Sequence, residues 1–149
     1  MSTFQTLQSP KNTNLHPWNA TQPKTSFLDS ASSELLTELT TATTTEHYNE
    51  SQTIITQGEH GDCMYFLSTG SVEVIVNQQR IATIDAGGFF GEMALLTQEK
   101  RNATIRAITP VQLSRIERGS FLKLCAKHRE FALHIQSVVN QRSLSQISL

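Results

Sequence analysis

Several features that mark other classes of protein are scarce or missing in these 149 residues. There is no run of 18 or more apolar residues, so no membrane-spanning helix is expected. The N-terminus lacks the charged-then-apolar pattern of a secretory signal. The 12 Lys and Arg residues are scattered and balance 13 Asp and Glu, which leaves a net charge of −1. Neither a nucleic-acid surface nor an anionic membrane surface is therefore predicted.

Cysteine and histidine are also sparse, and neither forms a cluster in the sequence. Cys63 and Cys125 lie far apart without a Cys-x-x-Cys context. This predicts two reduced, half-buried thiols in a cytoplasmic protein, with a disulfide or a redox switch as the alternative. The five histidines show no His-x-His pair and no nearby carboxylate set of the kind that metal-dependent β-barrel enzymes use, so no metal site is expected. No Ser-His-Asp or Cys-His arrangement is apparent either, and enzymatic chemistry is not predicted.

Composition divides the chain into two parts. Residues 1–29 are rich in Ser, Thr, Asn, Gln and Pro and carry almost no charge. Such a segment buries too little apolar surface to offset its ordering entropy, so a flexible tail is predicted. The tail is either incidental or a docking or lid segment anchored by Trp18. Residues 30–149 are long enough for one domain with a single core.

The second part is dominated by strand patterns. Short alternating runs occupy residues 53–56, 63–67, 72–76, 81–84, 104–108 and 111–116, with glycines between most of them. Many short strands with glycine turns predict an all-β barrel or a double-sheet jelly roll.

Helical patterns flank the strands. Ser30 is the expected N-cap of a short helix with Leu35, Leu36 and Leu39 on one face, ending near the Thr-rich residues 40–45. Ser120 is expected to cap one further helix, or two in succession, near the end of the chain. Within it, Ile135, Val138 and Val139 share a face because they are spaced by three and four residues.

A polar cassette interrupts the strands. Residues 90–96 read Phe-Gly-Glu-Met-Ala-Leu-Leu, and Arg101 follows nine residues after Glu92. Gly91 lets backbone approach a ligand, and the first amides of a helical turn, at residues 91–94, attract an anion. Arg101 can grip two phosphate oxygens, while Glu92 can accept from a hydroxyl pair. The cassette therefore predicts a site for a phosphate and a ribose.

A second motif makes the pattern specific. Residues 58–74 contain Gly-x-x-Gly-Asp-x-x-Tyr-x-Leu-x-x-Gly-x-Val-x-Val. Together with the cassette, this run resembles the cyclic nucleotide-binding domain family of catabolite activator proteins and protein kinase A regulatory subunits. The resemblance implies a mainly β fold, a double-stranded β-helix jelly-roll barrel with a short N-terminal helix and C-terminal lid helices.

The resemblance also implies ligand contacts. Glu92 matches the acid that accepts from the ribose 2′-hydroxyl, and Arg101 matches the arginine that pairs with an exocyclic phosphate oxygen. The remaining implied ligand-binding residues are Gly91, Met93, Ala94, Asn102 and Ala103. The sequence departs from the family at Lys100, where proline is common, and at Asn102, where Ala or Thr is usual. A Glu92–Arg101 salt bridge that only stiffens the loop is the alternative interpretation.

The function implied is that of a non-enzymatic cytoplasmic sensor. Its expected ligand is cyclic AMP, with cyclic GMP as the alternative. A lid containing Ile135, Val138 and Val139 would cover the base, unless these residues only pack against the barrel. No helix-turn-helix, channel or kinase segment is expected in the same chain, so an unknown effector protein, the N-terminal tail or an oligomer would receive the signal. A nucleotide-independent interaction module and a small-molecule barrel enzyme are the other functions left open.

Overall fold

Six strands form where the alternating runs predict them, two further strands were not predicted, and helices flank the strands. The structure is a computed structural model that describes the backbone of residues 31–148 and the side chains of residues 31–142. Within that part, the strands are β1 (Thr43–Tyr48), β2 (Thr53–Ile55), β3 (Cys63–Thr69), β4 (Ser71–Val76), β5 (Gln79–Asp85), β6 (Phe89–Phe90), β7 (Thr104–Ala107) and β8 (Val111–Glu117). The helices are α1 (Ser33–Ala42), α2 (Glu92–Thr97), α3 (Arg118–Lys127) and α4 (Arg129–Ser148).

The strands pair into two antiparallel sheets of four. One sheet has the order β1-β8-β3-β6 and the other has the order β2-β7-β4-β5. The mainly β jelly-roll prediction is confirmed, in the form of a two-sheet sandwich rather than one closed barrel. In the described residues, no helix is long and apolar enough to cross a membrane.

Two apolar clusters hold the sandwich and its helices together. Strand β3 contributes to both, because successive side chains point to opposite faces of a strand. Cys63, Tyr65 and Leu67 join residues of both sheets in an inner cluster. Met64 and Phe66 join residues of α1, α3 and α4 in an outer cluster. The helices therefore cover the outer face of the first sheet, and the cassette lies between the two clusters.

Helix α1 begins two residues later than expected. Its N-cap is Ser32, whose Oγ accepts from the Leu35 amide at 3.2 Å. Ser30 lies outside the described residues. Leu35 and Leu39 are buried as predicted, but Leu36 is 37% exposed, so the prediction that it shares the buried face is wrong. The Thr-rich run after Ala42, for which no strand was predicted, forms strand β1 against β8.

The start of the C-terminal helices also differs from the prediction. Helix α3 begins at Arg118 with Glu117 as its N-cap, and no side chain caps it. Ser120 lies within the helix, so its prediction as an N-cap is wrong. Two helices follow in succession, with His128 as the C-cap residue of the first. The N-terminal segment 1–29, including Trp18, lies outside the described residues.

Candidate functional site

The cassette folds as a tight turn followed by a short helix. Gly91 precedes α2 with φ of 90°, a backbone conformation that favours glycine. A Cβ at this position would also lie 3.0 Å from Arg101 Nη1. At the other end of α2, the carbonyls of Leu95 and Ala94 accept from the Arg118 guanidinium at 2.7 and 3.3 Å. The helix is therefore fixed at both ends.

One cavity brings together all seven ligand-binding residues that the sequence predicts. It is lined by Gly91, Glu92, Met93, Ala94, Arg101, Asn102 and Ala103, with Ile55 and Ile105. Its volume is about 10 Å³, which is room for about one water molecule. A ligand as large as a nucleotide therefore requires the cassette to open.

Arg101 is held beside this cavity by backbone carbonyls. The residue is 8% exposed, and its Nη1 donates to the Gly91 carbonyl at 2.8 Å. Its Nη2 donates to the Cys63 carbonyl at 2.9 Å and contacts Cys63 Sγ at 3.6 Å. A guanidinium carries five N–H groups, so at least two remain for an anion. The backbone thus orients the side chain without using all of its donors.

Glu92 is the buried acid of the cassette. It has no exposed surface, and its Oε1 accepts from Arg142 Nη1 at 2.9 Å, so it pairs with Arg142 rather than with Arg101. Its Oε2 is also buried and has no hydrogen-bond partner among the described residues. An unsatisfied buried carboxylate oxygen is costly. Glu92 therefore offers one free acceptor at the cavity.

Arg142 is a residue of this site that the sequence analysis missed. It is fully buried on α4, its Nη2 donates to the Phe89 carbonyl at 2.8 Å, and its guanidinium lies 5.0 Å from the Phe89 ring centre. It follows Val138 by four residues and Ile135 by seven, which places it on the same helical face. The sequence signal that could have identified Arg142 is its helical spacing from Ile135 and Val138, which places a charged residue on an apolar face.

The predicted lid residues lie behind the cassette. Ile135, Val138 and Val139 are buried in the outer cluster, together with Phe89 and Leu95. They are not among the residues that line the cavity. Helix α4 therefore reaches the cassette through Arg142 and apolar packing, and a role of these three residues in covering a base stays a prediction.

The charges buried at the cassette favour an anion. Burial, and then the charge of Arg142, lowers the pKa of His134, whose ring lies 5.8 Å from that of Phe89. That imidazole is therefore neutral near pH 7. Two guanidiniums, of Arg101 and Arg142, against the one carboxylate of Glu92 leave one positive charge. A cyclic phosphate diester carries one negative charge and matches it.

Comparison with known proteins places these residues in a family. A family model described as "Cyclic nucleotide-binding domain" matches residues 45–128, more than half of the chain. A cGMP-dependent protein kinase of Plasmodium berghei (strain Anka) is 40% identical over 88 residues, which are 55% of this chain and 10% of the kinase. The family match contains the whole cavity lining, whereas Arg142 lies beyond it.

Solved structures extend the likeness to a larger share of the chain. The regulatory domain of Toxoplasma gondii PKA with cAMP is 27% identical, covers 76% of this chain and 45% of its own, and has a TM-score of 0.65. The regulatory subunit of a cAMP-independent protein kinase A from Trypanosoma brucei has a TM-score of 0.72 with 20% identity, 83% coverage of this chain and 45% of its own. The second likeness shows the fold alone. This chain spans about a tenth of the P. berghei kinase and less than half of each of these two structures.

Proposed function

Because this chain belongs to the cyclic nucleotide-binding domain family, we propose that it is a non-enzymatic sensor that binds a cyclic nucleotide at the cassette. The observation that carries the proposal is the free Oε2 of Glu92, a buried acceptor on a residue that lines the same cavity as Arg101. A ribose 2′-hydroxyl donating to Oε2 satisfies that oxygen while Oε1 keeps its bond to Arg142.

Arg101 supplies the counter-charge for the phosphate. Its N–H groups not used by the Gly91 and Cys63 carbonyls can pair with an exocyclic phosphate oxygen. The backbone amides of Gly91, Ala94 and Asn102, together with Met93 and Ala103, form the rest of the proposed contact surface. The ribose and the phosphate are thus bound by different residues, which selects for a ligand that has both.

Opening of the cassette links binding to α4. Since the cavity holds about one water molecule, ligand entry moves α2 relative to its neighbours. Arg142 connects α4 to both Glu92 and the Phe89 carbonyl, so the helix responds to this movement. The ligand shifts the population between two arrangements only by its differential affinity for them. We propose that α4, and not the sandwich, carries the signal.

The proposed base is adenine, although the two kinds of relative differ. The solved T. gondii domain contains cAMP, whereas the P. berghei relative is named for cGMP. In this chain Asn102, which lines the cavity, replaces the Ala or Thr usual at that position. An asparagine amide can donate and accept, so a guanine contact is the alternative. The preference for cyclic AMP follows the relatives solved with that ligand.

We also propose the domain bounds, the kind of effector protein and the location of this chain in the cell. Residues 30–149 form the sensor domain, and residues 1–29 form a tail outside it. The effector is a protein, and a protein kinase is the class that the names of most relatives favour. The cytoplasm is the proposed location.

Calorimetric titration with cyclic AMP tests the site assignment. Arg101→Ala is expected to weaken binding by more than tenfold, because truncating one partner of such a charge pair costs about 2–5 kcal/mol. Arg106→Gln is the matched control, since that arginine is exposed on β7 and pairs with Glu73. It is expected to leave the affinity within about twofold of the parent. Equal binding by the Arg101 variant and the parent would remove Arg101 from the site.

A nucleotide-independent interaction module is the second candidate. The small volume of the cavity favours it, as do the existing bonds of Arg101 and Glu92 to protein groups. On this alternative the bonds of Arg101 and Glu92 only stabilise the fold, and neither cyclic nucleotide binds at millimolar concentration.

A further inference from the structure

A second polar cluster lies where α1 meets the corner between α3 and α4. Glu34 and Glu38 are four residues apart on α1 and therefore share a face. His128, at the junction of α3 and α4, faces them. One ligand atom from each of the three side chains lies within 4.8 Å of the other two.

His128 is the unusual member of this cluster. The residue is 6% exposed, yet its Nε2 has no hydrogen-bond partner among the described residues. That nitrogen lies 3.3 Å from Glu38 Oε2, so it points into the group of carboxylates. A buried polar atom without a partner costs free energy, and a bound ligand would recover that cost.

We propose that Glu34, Glu38 and His128 form a site for Zn²⁺ or a divalent ion of similar chemistry. One imidazole nitrogen with two carboxylate oxygens is a donor set that Zn²⁺ accepts, and three protein ligands leave a fourth position for water. Metal–ligand distances of about 2.0–2.2 Å require the donor atoms to approach one another more closely than the 4.8 Å limit. The side chain of Glu34 is 66% exposed and free to make this movement.

Lys127 marks the position of the cation. Its Nζ lies 2.8 Å from Glu38 Oε2 and 3.4 Å from Glu34 Oε2, so a positive charge already stands between the carboxylates. Because the Lys127 side chain is 57% exposed, it can turn into solvent when a metal replaces it.

The proposed site joins elements that are distant in the chain. Helix α1 contributes Leu35 and Leu39 to the outer cluster, and α3 contributes Phe121 and Leu124. A metal held by both sides of this contact binds the folded state and stabilises it by mass action. No metal site was expected from the sequence, because His128 is about 90 residues from Glu34 and Glu38 and the three form no local motif.

Titration of the full chain with ZnCl₂ after chelator treatment tests the proposal. Glu34→Gln and His128→Gln are each expected to weaken Zn²⁺ binding at least tenfold. His47→Gln is the matched control on exposed β1, and its affinity is expected to stay within twofold of the parent. Lys127→Met removes the ammonium that competes with the metal. It is therefore expected to strengthen Zn²⁺ binding, whereas the two ligand variants weaken it.

Two further readouts keep the test decisive if His128→Gln folds poorly. Zn²⁺ is expected to raise the melting temperature of the parent but not of Glu34→Gln, whose substitution is exposed. Co²⁺ is expected to bind without a sulfur charge-transfer band, which excludes Cys63 and Cys125 as ligands. Failure of the parent to bind Zn²⁺, unchanged affinity in Glu34→Gln, or weaker affinity in Lys127→Met would each overturn the proposal.

Discussion

Arg101 has two roles that a single truncation cannot separate. The sequence predicts that Arg101 pairs with a phosphate oxygen. In the structure the guanidinium also donates to the carbonyls of Gly91 and Cys63. Removing it leaves these acceptors unsatisfied, at about 1–3 kcal/mol for a buried group. Stability must therefore be measured beside affinity.

Gly61 offers a way to displace Arg101 without removing it. A Cβ at residue 61 would overlap Arg101 Nε, so Gly61→Ala must push the guanidinium aside. Cyclic AMP affinity is expected to fall at least tenfold, while the circular dichroism spectrum stays that of the parent. Gly119→Ala is the control, because a Cβ there meets nothing within 4 Å. Parental affinity in Gly61→Ala would mean that the position of Arg101 is irrelevant to binding.

The contact proposed for Glu92 predicts that the protein distinguishes cyclic AMP from its 2′-deoxy analogue. If its Oε2 accepts from the 2′-hydroxyl, 2′-deoxy cyclic AMP loses a charge-assisted hydrogen bond worth about 1.5–3 kcal/mol. The deoxy ligand is therefore expected to bind the parent at least tenfold more weakly than cyclic AMP. Glu92→Gln is expected to narrow this ratio. Competition binding with both ligands measures the ratio of their affinities. Equal affinities in the parent would mean that the ribose 2′-hydroxyl does not contact Glu92.

At the scale of elements, α4 is attached to the cassette by a buried ion pair. Arg142→Met leaves Glu92 buried without its partner, which is expected to lower the free energy of unfolding by about 3–5 kcal/mol. The double variant Glu92→Gln with Arg142→Met removes both charges and is expected to regain part of that loss. Urea denaturation of the parent, the two single variants and the double variant gives the coupling free energy between residues 92 and 142. Additive effects of the two substitutions would show that the pair does not connect helix to cassette.

The turn between β4 and β5 predicts a stabilising substitution. Asn77 and Gln78 have φ of 53° and 69°, as in the type I′ turns that prefer Asn-Gly. Gln78→Gly removes the cost of a side chain at positive φ and is expected to raise the free energy of unfolding by about 0.5–1 kcal/mol. Gln79→Gly, one residue later in β5, is the control and is expected to lower it. Thermal unfolding that shows no gain for Gln78→Gly would contradict the argument.

Local signals in the sequence explain which elements were predicted. Strands β2 to β5, β7 and β8 follow from alternation and glycine turns. Strand β6 was not predicted, because two residues are too short to show alternation. Strand β1 was missed because a run of threonines, exposed on one edge of the sheet, carries no apolar alternation. The N-cap of α1 was misplaced by two residues and that of α3 by three, since several polar residues near each start can serve and only tertiary packing selects one. Phe131 and Ile135 of the outer cluster belong to α4, so a truncation after residue 129 would remove both and is expected to destabilise the fold. The Arg142 variant tests the role of α4 without that loss.

For the molecule as a whole, the sequence predicted the cassette side of the site but not the side that α4 contributes through Arg142. The seven cassette residues are close in sequence, so their motif could be recognised, and the fold brings them to one cavity. Arg142 comes from 50 residues later and the Glu34–Glu38–His128 cluster joins the two ends of the domain. Such contacts depend on how α1, α3 and α4 pack on the sandwich. No local pattern encodes them.

Calorimetric titration of the parent chain with cyclic AMP, cyclic GMP and 5′-AMP tests the central claim most directly. A cassette that recognises a ribose and a cyclic phosphate together predicts one binding site per chain with a Kd in the micromolar range or below, about −8 kcal/mol or stronger. Cyclic AMP is expected to bind more tightly than cyclic GMP, and 5′-AMP at least 100-fold more weakly. Absence of heat with both cyclic nucleotides would contradict the sensor assignment, and tighter binding of cyclic GMP would overturn the choice of base.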